Sequence, residues 1–205
     1  MIDPIPVRAV RDVSGLPDVT FGNRSLAWWG TLWLMVIEAG TLVICATAYL
    51  YLRKNFYDYP PRGTPLPSLG VPITQLIVMG GSIIPMALAA RAAKRMDLES
   101  ARLWLTLELV FKAAILVLRW YEFKALNVWW NSNAYGSAAW VILGFHATLL
   151  LLDVCEDAGI ALILWSGDAR KRHLSDITDD AMYWYFTVGA WVPLFVLVFL
   201  YPRWT

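Results

Sequence analysis

Glu38 is the only charged residue in a long apolar stretch, set between Ile37 and Ala39-Gly40. Such surroundings disfavour the charged form of a carboxyl, the property a proton-exchanging or proton-collecting group needs. A neutral carboxyl hydrogen-bonded to a neighbouring helix is the plainer reading of the same residue. Two further sets of polar residues are spaced for chemistry or for pairing. Glu108, Lys112, Arg119 and Glu122 follow steps of four, seven and three, and His146, Asp153 and Asp157 follow steps of seven and four, with Glu156 adjoining. These are helical spacings that put each set on one face. One imidazole with Asp153, Glu156 and Asp157 could hold iron, manganese or zinc. Only one histidine is within reach, and it lies two turns from Asp153. A salt-bridged packing cluster is therefore the better reading, and no metal is expected here.

The elements that must position these residues follow from composition. The chain has 205 residues, 59% hydrophobic and 16% charged, with a mean hydropathy of +0.52. That is the composition of a polytopic helical membrane protein. A spanning helix needs about 20 mostly apolar residues, and five runs qualify: 26–52, 71–90, 103–125, 136–165 and 182–201. In lipid each run must satisfy its own backbone, and none alternates as a barrel strand would, so all five are expected to be helices. The runs 103–125 and 136–165 carry the polar stripes, which should turn toward protein rather than lipid. Residues 1–24, with three Pro, three Asp and three Arg, hold no apolar run and read as an ordered or semi-ordered polar arm, not a cleavable signal. The linker 55–70, rich in Pro and Gly, reads as a structured turn outside the membrane. Trp28, Trp29, Tyr49, Tyr51, Trp129, Trp130, Trp165, Tyr183, Trp184, Tyr201 and Trp204 cluster at run ends like interfacial aromatic belts.

Several function classes are excluded. A net charge of +1 advertises no nucleic acid. Cys45 and Cys155 lie far apart inside apolar runs and read as buried small residues, not a disulfide framework. Two histidines are too few for haem held by paired imidazoles with copper beside it. Lys and Arg number ten on the side of the arm and the second and fourth loops, against five on the other, which places the N-terminus inside.

At 1.5 Å per residue from the inner edge, Glu38 lies about 18 Å deep, Lys112 about 15 Å and Asp153 about 18 Å. Glu156 and Asp157 lie about 12–13 Å deep, and Arg119 and His146 about 25–28 Å. Lys112 can thus meet the acids of the fourth helix, and Arg119 can meet Glu122 or His146. Glu108 and Lys112 are also spaced for an i,i+4 pair. Six interior acids face two bases, a net of −4 if all are ionised. Each unpaired central charge costs about 2.5–3.5 kcal/mol, so protonation, a water file, a lipid head or a partner subunit must offset the excess. Ala39-Gly40 and Gly80-Gly81-Ser82 are small-residue patches for close helix contact or lipid grooves.

Four stretches in order resemble one family, subunit III of haem–copper oxidases in its compact five-helix form. They are Trp33-Leu-Met-Val-Ile-Glu38-Ala-Gly, Trp120-Tyr-Glu122-Phe-Lys-Ala, Tyr135-Gly136-Ser137 followed by Gly144-Phe145-His146, and Tyr183-Trp184-Tyr185-Phe186 with Trp191 and Tyr201. The chain departs from the family pattern at Ala147 (Gly in the family), at Leu149 and Tyr185 (each His), and in its Lys112, Arg119, Asp153, Glu156 and Asp157 group. The resemblance implies an accessory subunit without redox metal, beside catalytic subunit I and subunit II, whose haem and copper lie in that partner. It implies phospholipid in a cleft between helices, support of proton uptake and lasting activity, and a reactive buried carboxyl at Glu38.

The reading is therefore an all-α, polytopic membrane bundle of five transmembrane helices with a lipid cleft. Residues 1–25 form a cytoplasmic arm and residues 26–205 the membrane domain, in a bacterial inner membrane with the C-terminus periplasmic. No catalytic residue is expected in the chain. Glu38 is the proton-linked residue. Glu108, Lys112, Arg119, Glu122, His146, Asp153, Glu156 and Asp157 form the structural polar cluster, with His146 and Glu122 as a hydrogen-bond pair. Arg91, Arg95 and Arg102 are expected to contact anionic lipid or a partner. The alternatives are an accessory subunit of a nitric oxide reductase, a purely structural scaffold, and a stand-alone transporter, the last disfavoured by the lack of repeat symmetry.

Overall fold

The computed structural model describes residues 19–167 and 169–204. Five long helices dominate: α1 (Leu26–Asn55), α2 (Gly70–Lys94), α3 (Leu98–Ala125), α4 (Ala134–Ser166) and α5 (Lys171–Phe195). A π turn, Val196–Leu200, and a 3-10 turn, Tyr201–Arg203, extend α5. No strand occurs among the described residues. The polar arm lies almost wholly outside them. Its described end is a 3-10 turn at Gly22–Arg24, and the Ser175 hydroxyl of α5 donates to the Thr20 carbonyl at 2.9 Å.

Four helices are long and apolar enough to cross a membrane: α1, α2, α4, and α5 with its extension. α3 has the length, 28 residues, but Glu108, Lys112, Arg119 and Glu122 interrupt its apolar content.

Local chemistry sets the helix ends. Met96 takes a left-handed conformation (φ 57°) that ends α2. The next residue, Asp97, caps α3 by accepting from the Ser100 amide at 3.1 Å. Hydrogen bonds from Ser100 hold the Asp97 carboxyl below its ordinary range. Asn133 caps α4 by accepting from the Gly136 amide at 2.8 Å, and Gly167, at φ 89°, closes α4 in the left-handed region. α5 begins eleven residues before the apolar run expected at 182. Its first turns, with Asp176, Asp179 and Asp180, are polar, yet they pack against protein, so hydropathy does not report them.

The shortest turn, between α2 and α3, makes the most extensive helix pairing. Ala89, Ala90, Ala92 and Ala93 of α2 and Ala101 of α3 are buried there, and their small size lets the backbones close up. α5 is the central element and packs on α2, α4 and α1. α1 lies at the edge against α4 and α5, burying only Glu38, Leu42 and Tyr49. The linker between α1 and α2 is structured, as its Pro and Gly content predicts. Ser68 donates its amide to the Ala125 carbonyl at 2.7 Å, and Tyr59 packs its ring on Tyr49 and Tyr135. Both cysteines are free, and only their burial differs from expectation: Cys45 is half-buried and Cys155 is exposed, because its side of α4 faces no neighbouring helix.

Candidate functional site

α3, α4 and α5 converge on two polar tiers. The same step of seven residues separates them on each helix: Lys112 and Arg119 on α3, Asp153 and His146 on α4, Trp184 and Trp191 on α5. Seven residues are two helical turns, about 10.5 Å. α3 and α5 run opposite to α4, so one tier gathers Lys112, Asp153 and Trp184 and the other Arg119, His146 and Trp191.

In the Arg119 tier the charged groups and the imidazole are paired, while Arg119 Nε, Glu122 Oε1 and the Trp191 indole N–H have no hydrogen-bond partner among the described residues. Arg119 Nη1 lies 2.7 Å from Glu122 Oε2, and Nη2 donates to His146 Nδ1 at 2.9 Å. A guanidinium only donates, so Nδ1 accepts and the proton sits on Nε2. That nitrogen donates to the Thr187 carbonyl at 3.0 Å. The Arg119 carbon lies 3.8 Å from the Trp191 ring centre, a cation–π contact, and the His146 ring packs on the same indole at 4.8 Å. One positive and one negative charge balance, and the imidazole is neutral. His146 and Glu122 do not pair directly, as the sequence reading had them: Arg119 stands between and binds both.

The Lys112 tier is different. Lys112 Nζ lies 2.6 Å from Asp153, 2.7 Å from Asp157 and 3.7 Å from Asp180, with all four side chains buried. The ammonium lies 4.5 Å from the Trp184 ring centre, and the indole N–H donates to Ser82 of α2 at 3.0 Å. Asp153, Asp157 and Asp180 bring ligand oxygens within 4.8 Å of one another, as a hard-cation site would. Lys112 supplies the cation, tethered to the protein. Glu108, one turn away on α3, is fully buried and faces Lys112 rather than bonding to it; only the Ser82 hydroxyl, which already donates to the Met79 carbonyl, comes within its reach. His146 has no part in this cluster, and Glu156 is exposed beside it.

Glu38 lies apart from both tiers, on α1. It is buried, and the Tyr183 hydroxyl donates to its Oε1 at 3.1 Å, while Oε2 has no partner. Next to it, Ala39, Leu42 and Ala46 face Phe186, Ala190 and Leu194 across an apolar groove of about 370 Å³ between α1 and α5. A second apolar cavity, of about 560 Å³, opens among Trp120, Phe123, Lys124, Trp129 and Trp140 at the far end of α3. Of the three arginines expected at a surface, Arg91 and Arg95 are exposed at the end of α2. Arg102 is half-buried, 5.5 Å from the Trp165 ring centre.

The Tyr-Gly-Ser stretch has a steric reason. A Cβ on Gly136 would lie 2.4 Å from the Trp129 carbonyl oxygen, so only glycine fits. Ser137 donates to the Trp130 carbonyl at 2.6 Å, which locks the α3–α4 turn onto the start of α4. Tyr135, buried between them, completes the Tyr49–Tyr59 stack. Sequence reasoning missed Asp180, Tyr183, Trp184 and Ser82 as members of the site. The signal was present in the steps Asp176, Asp180, Tyr183 and Thr187, a helical stripe continuing into the last apolar run.

No protein-family model matches the chain. Curated relatives do. The chain is 26% identical over 184 residues to a protein of Synechocystis sp. named cytochrome c oxidase subunit 3, covering 87% of this chain and 77% of the relative. It is 24% identical over 160 residues to a protein of the same name from Thermostichus vulcanus, covering 76% of this chain and 78% of the relative. A third of that name, from Corynebacterium diphtheriae, is 26% identical over 126 residues, covering 60% of this chain and 62% of the relative. Likeness at this level, repeated over most of the length in an apolar helical chain, supports a membrane-embedded protein similar to the cytochrome c oxidase subunit 3 family.

Proposed function

We propose that this chain is the accessory subunit III of a haem–copper terminal oxidase, with oxygen reduction carried out by a neighbouring subunit. The observation that carries the proposal is the likeness to relatives named cytochrome c oxidase subunit 3, which extends over 87% of the chain. The chemistry of the interior agrees. His146 spends both ring nitrogens on Arg119 and Thr187, and His173 meets the Arg170 amide through Nδ1 and Arg172 Nε through Nε2, so both imidazoles are engaged within the chain.

The membrane is crossed five times. The charges that interrupt α3 all point inward, while Leu103, Leu107, Val110, Val117 and Trp120 form an apolar outer face. The ten-to-five imbalance of Lys and Arg sets the N-terminus on the cytoplasmic side. The groove between α1 and α5 takes phospholipid acyl chains, and Arg91 and Arg95 meet anionic head groups or the partner's inner surface. Glu38, held by Tyr183 beside that groove, is the proton-linked carboxyl that supports proton uptake by the complex.

Purification through a tag on this chain in mild detergent, followed by a visible spectrum and mass spectrometry, tests the reading. Haem a-, b- or o-type bands with a His-rich large subunit are expected. A large subunit with haem b and non-haem iron would replace the oxidase with a nitric oxide reductase. A colourless chain recovered alone, under conditions that keep other complexes intact, would end both.

A further inference from the structure

The acids around Lys112 outnumber the cations that face them. α3 contributes Glu108 and Lys112, α4 contributes Asp153, Glu156 and Asp157, and α5 contributes Asp176, Asp179 and Asp180, with Arg172 and His173 beside Asp176. α2 adds only neutral Ser82 to the contact, and α1 adds Glu38 through Tyr183, which lies within electrostatic reach of Asp153 and Glu156. Three carboxylates crowd one ammonium. Asp153, Asp157 and Asp180 bring carboxylate oxygens within 4.8 Å of one another. Ionised carboxylates only accept, so two of them can bond to each other only with a proton between them.

Glu108 gives an independent indication. It is fully buried, faces Lys112, Asp153 and Asp157, and has within reach only the Ser82 hydroxyl, whose proton the Met79 carbonyl already takes. An ionised carboxylate in that position would be unsolvated and at best weakly bonded, and a protonated one removes the cost. A path to the surface also exists. Asp179 adjoins the cluster, Asp176 is half-buried and Glu156 exposed, and the three are mutual electrostatic neighbours leading toward the α4–α5 turn.

We propose that the Lys112 tier is a proton-binding site, with one exchangeable proton shared by Asp157 and Asp180 and a second on Glu108, reached from solvent by way of Glu156, Asp176 and Asp179. Lys112 stays charged and tunes the site. Each proton that enters comes from water or buffer, lands on an ionised carboxylate, and brings the cluster one charge nearer neutrality. The inference deepens the oxidase reading and rests on it for its purpose, as a store for the proton uptake the subunit supports. The binding site itself stands on the geometry.

The test is infrared spectroscopy of the complex purified through this chain. The C=O stretch of protonated carboxyls is followed through a pH titration and through exchange from H2O to D2O. The wild type is expected to show protonated-carboxyl bands at neutral pH that shift in D2O. Asp180→Asn should remove one band and Glu108→Gln another, each in an assembled complex. Bands unchanged in both variants would overturn the proposal, as would bands that never shift in D2O, since the protons would then be elsewhere or sealed. If Asp180→Asn does not assemble, Glu108→Gln and the wild-type D2O shift still decide. The haem spectrum of the same sample tests the oxidase reading separately: titrating bands without haem would end that reading and leave the proton site standing.

Discussion

The Arg119 and Lys112 tiers share three helices and a two-turn repeat but solve opposite problems. In one, a single guanidinium is matched to one carboxylate, one neutral imidazole and one indole, and its charges balance. In the other, a single ammonium faces three aspartates, with a buried glutamate, paired by no cation, behind it. The lesson is that polarity inside a membrane bundle is of two kinds. A balanced set fixes helix register and has nothing to exchange. An unbalanced set is stable only with added protons, and added protons can be removed.

The sharpest way to break the comparison is to remove each cation. Lys112→Met strands up to three buried acids, and losing one partner of a buried pair costs about 3–5 kcal/mol. Thermal melting and yield of the complex should fall most in this variant at alkaline pH. The loss should shrink as pH falls, because protonated aspartates no longer need the cation. Arg119→Met strands one acid and a neutral His146, so its loss should also be large, about 3 kcal/mol, but less dependent on pH. Equal pH profiles for the two variants would erase the distinction between the tiers.

Two smaller substitutions sharpen it. Gly136→Ala drives a Cβ against the Trp129 carbonyl, which should cost about 1–3 kcal/mol and lower melting without touching either tier's charge. His146→Phe leaves the Arg119 guanidinium and the Thr187 carbonyl short of a partner, about 1–3 kcal/mol, again in melting. Tyr183→Phe should have the least effect on stability, about 1 kcal/mol. It should raise the reactivity of Glu38 toward a carbodiimide, because the carboxyl loses its only donor. Unchanged labelling would show that Tyr183 does not govern Glu38.

Much of this was legible in the sequence. Apolar length marked five helices, and the steps from Glu108 to Glu122 and from His146 to Asp157 showed that the charges face inward. The depth argument set Lys112 against Asp153, Glu156 or Asp157, and Arg119 against Glu122 or His146; in the structure Lys112 meets Asp153 and Asp157 but not the exposed Glu156, and Arg119 meets both Glu122 and His146. Asp180 was not legible. Hydropathy cuts α5 at Met182, because it weighs a residue's type and not the face it occupies, and Asp180 lies on a buried one. The contact between Glu38 and Tyr183 was also out of reach, since it depends on how α1 is rotated against α5, which no single-helix pattern contains. Nor did the apolar surroundings of Cys155 imply burial, because a helix in a membrane bundle can turn an apolar side outward.

The central claim is that this chain assists a redox centre it does not hold. Stripping it from the purified complex and following both the visible spectrum and oxygen consumption through prolonged turnover tests that claim most directly. The account predicts haem bands unchanged and early turnover retained, with slower proton uptake at alkaline pH and earlier inactivation, both reversed when the chain is restored. Loss of haem bands together with the chain, or a depleted complex that behaves like the intact one throughout turnover, would contradict it.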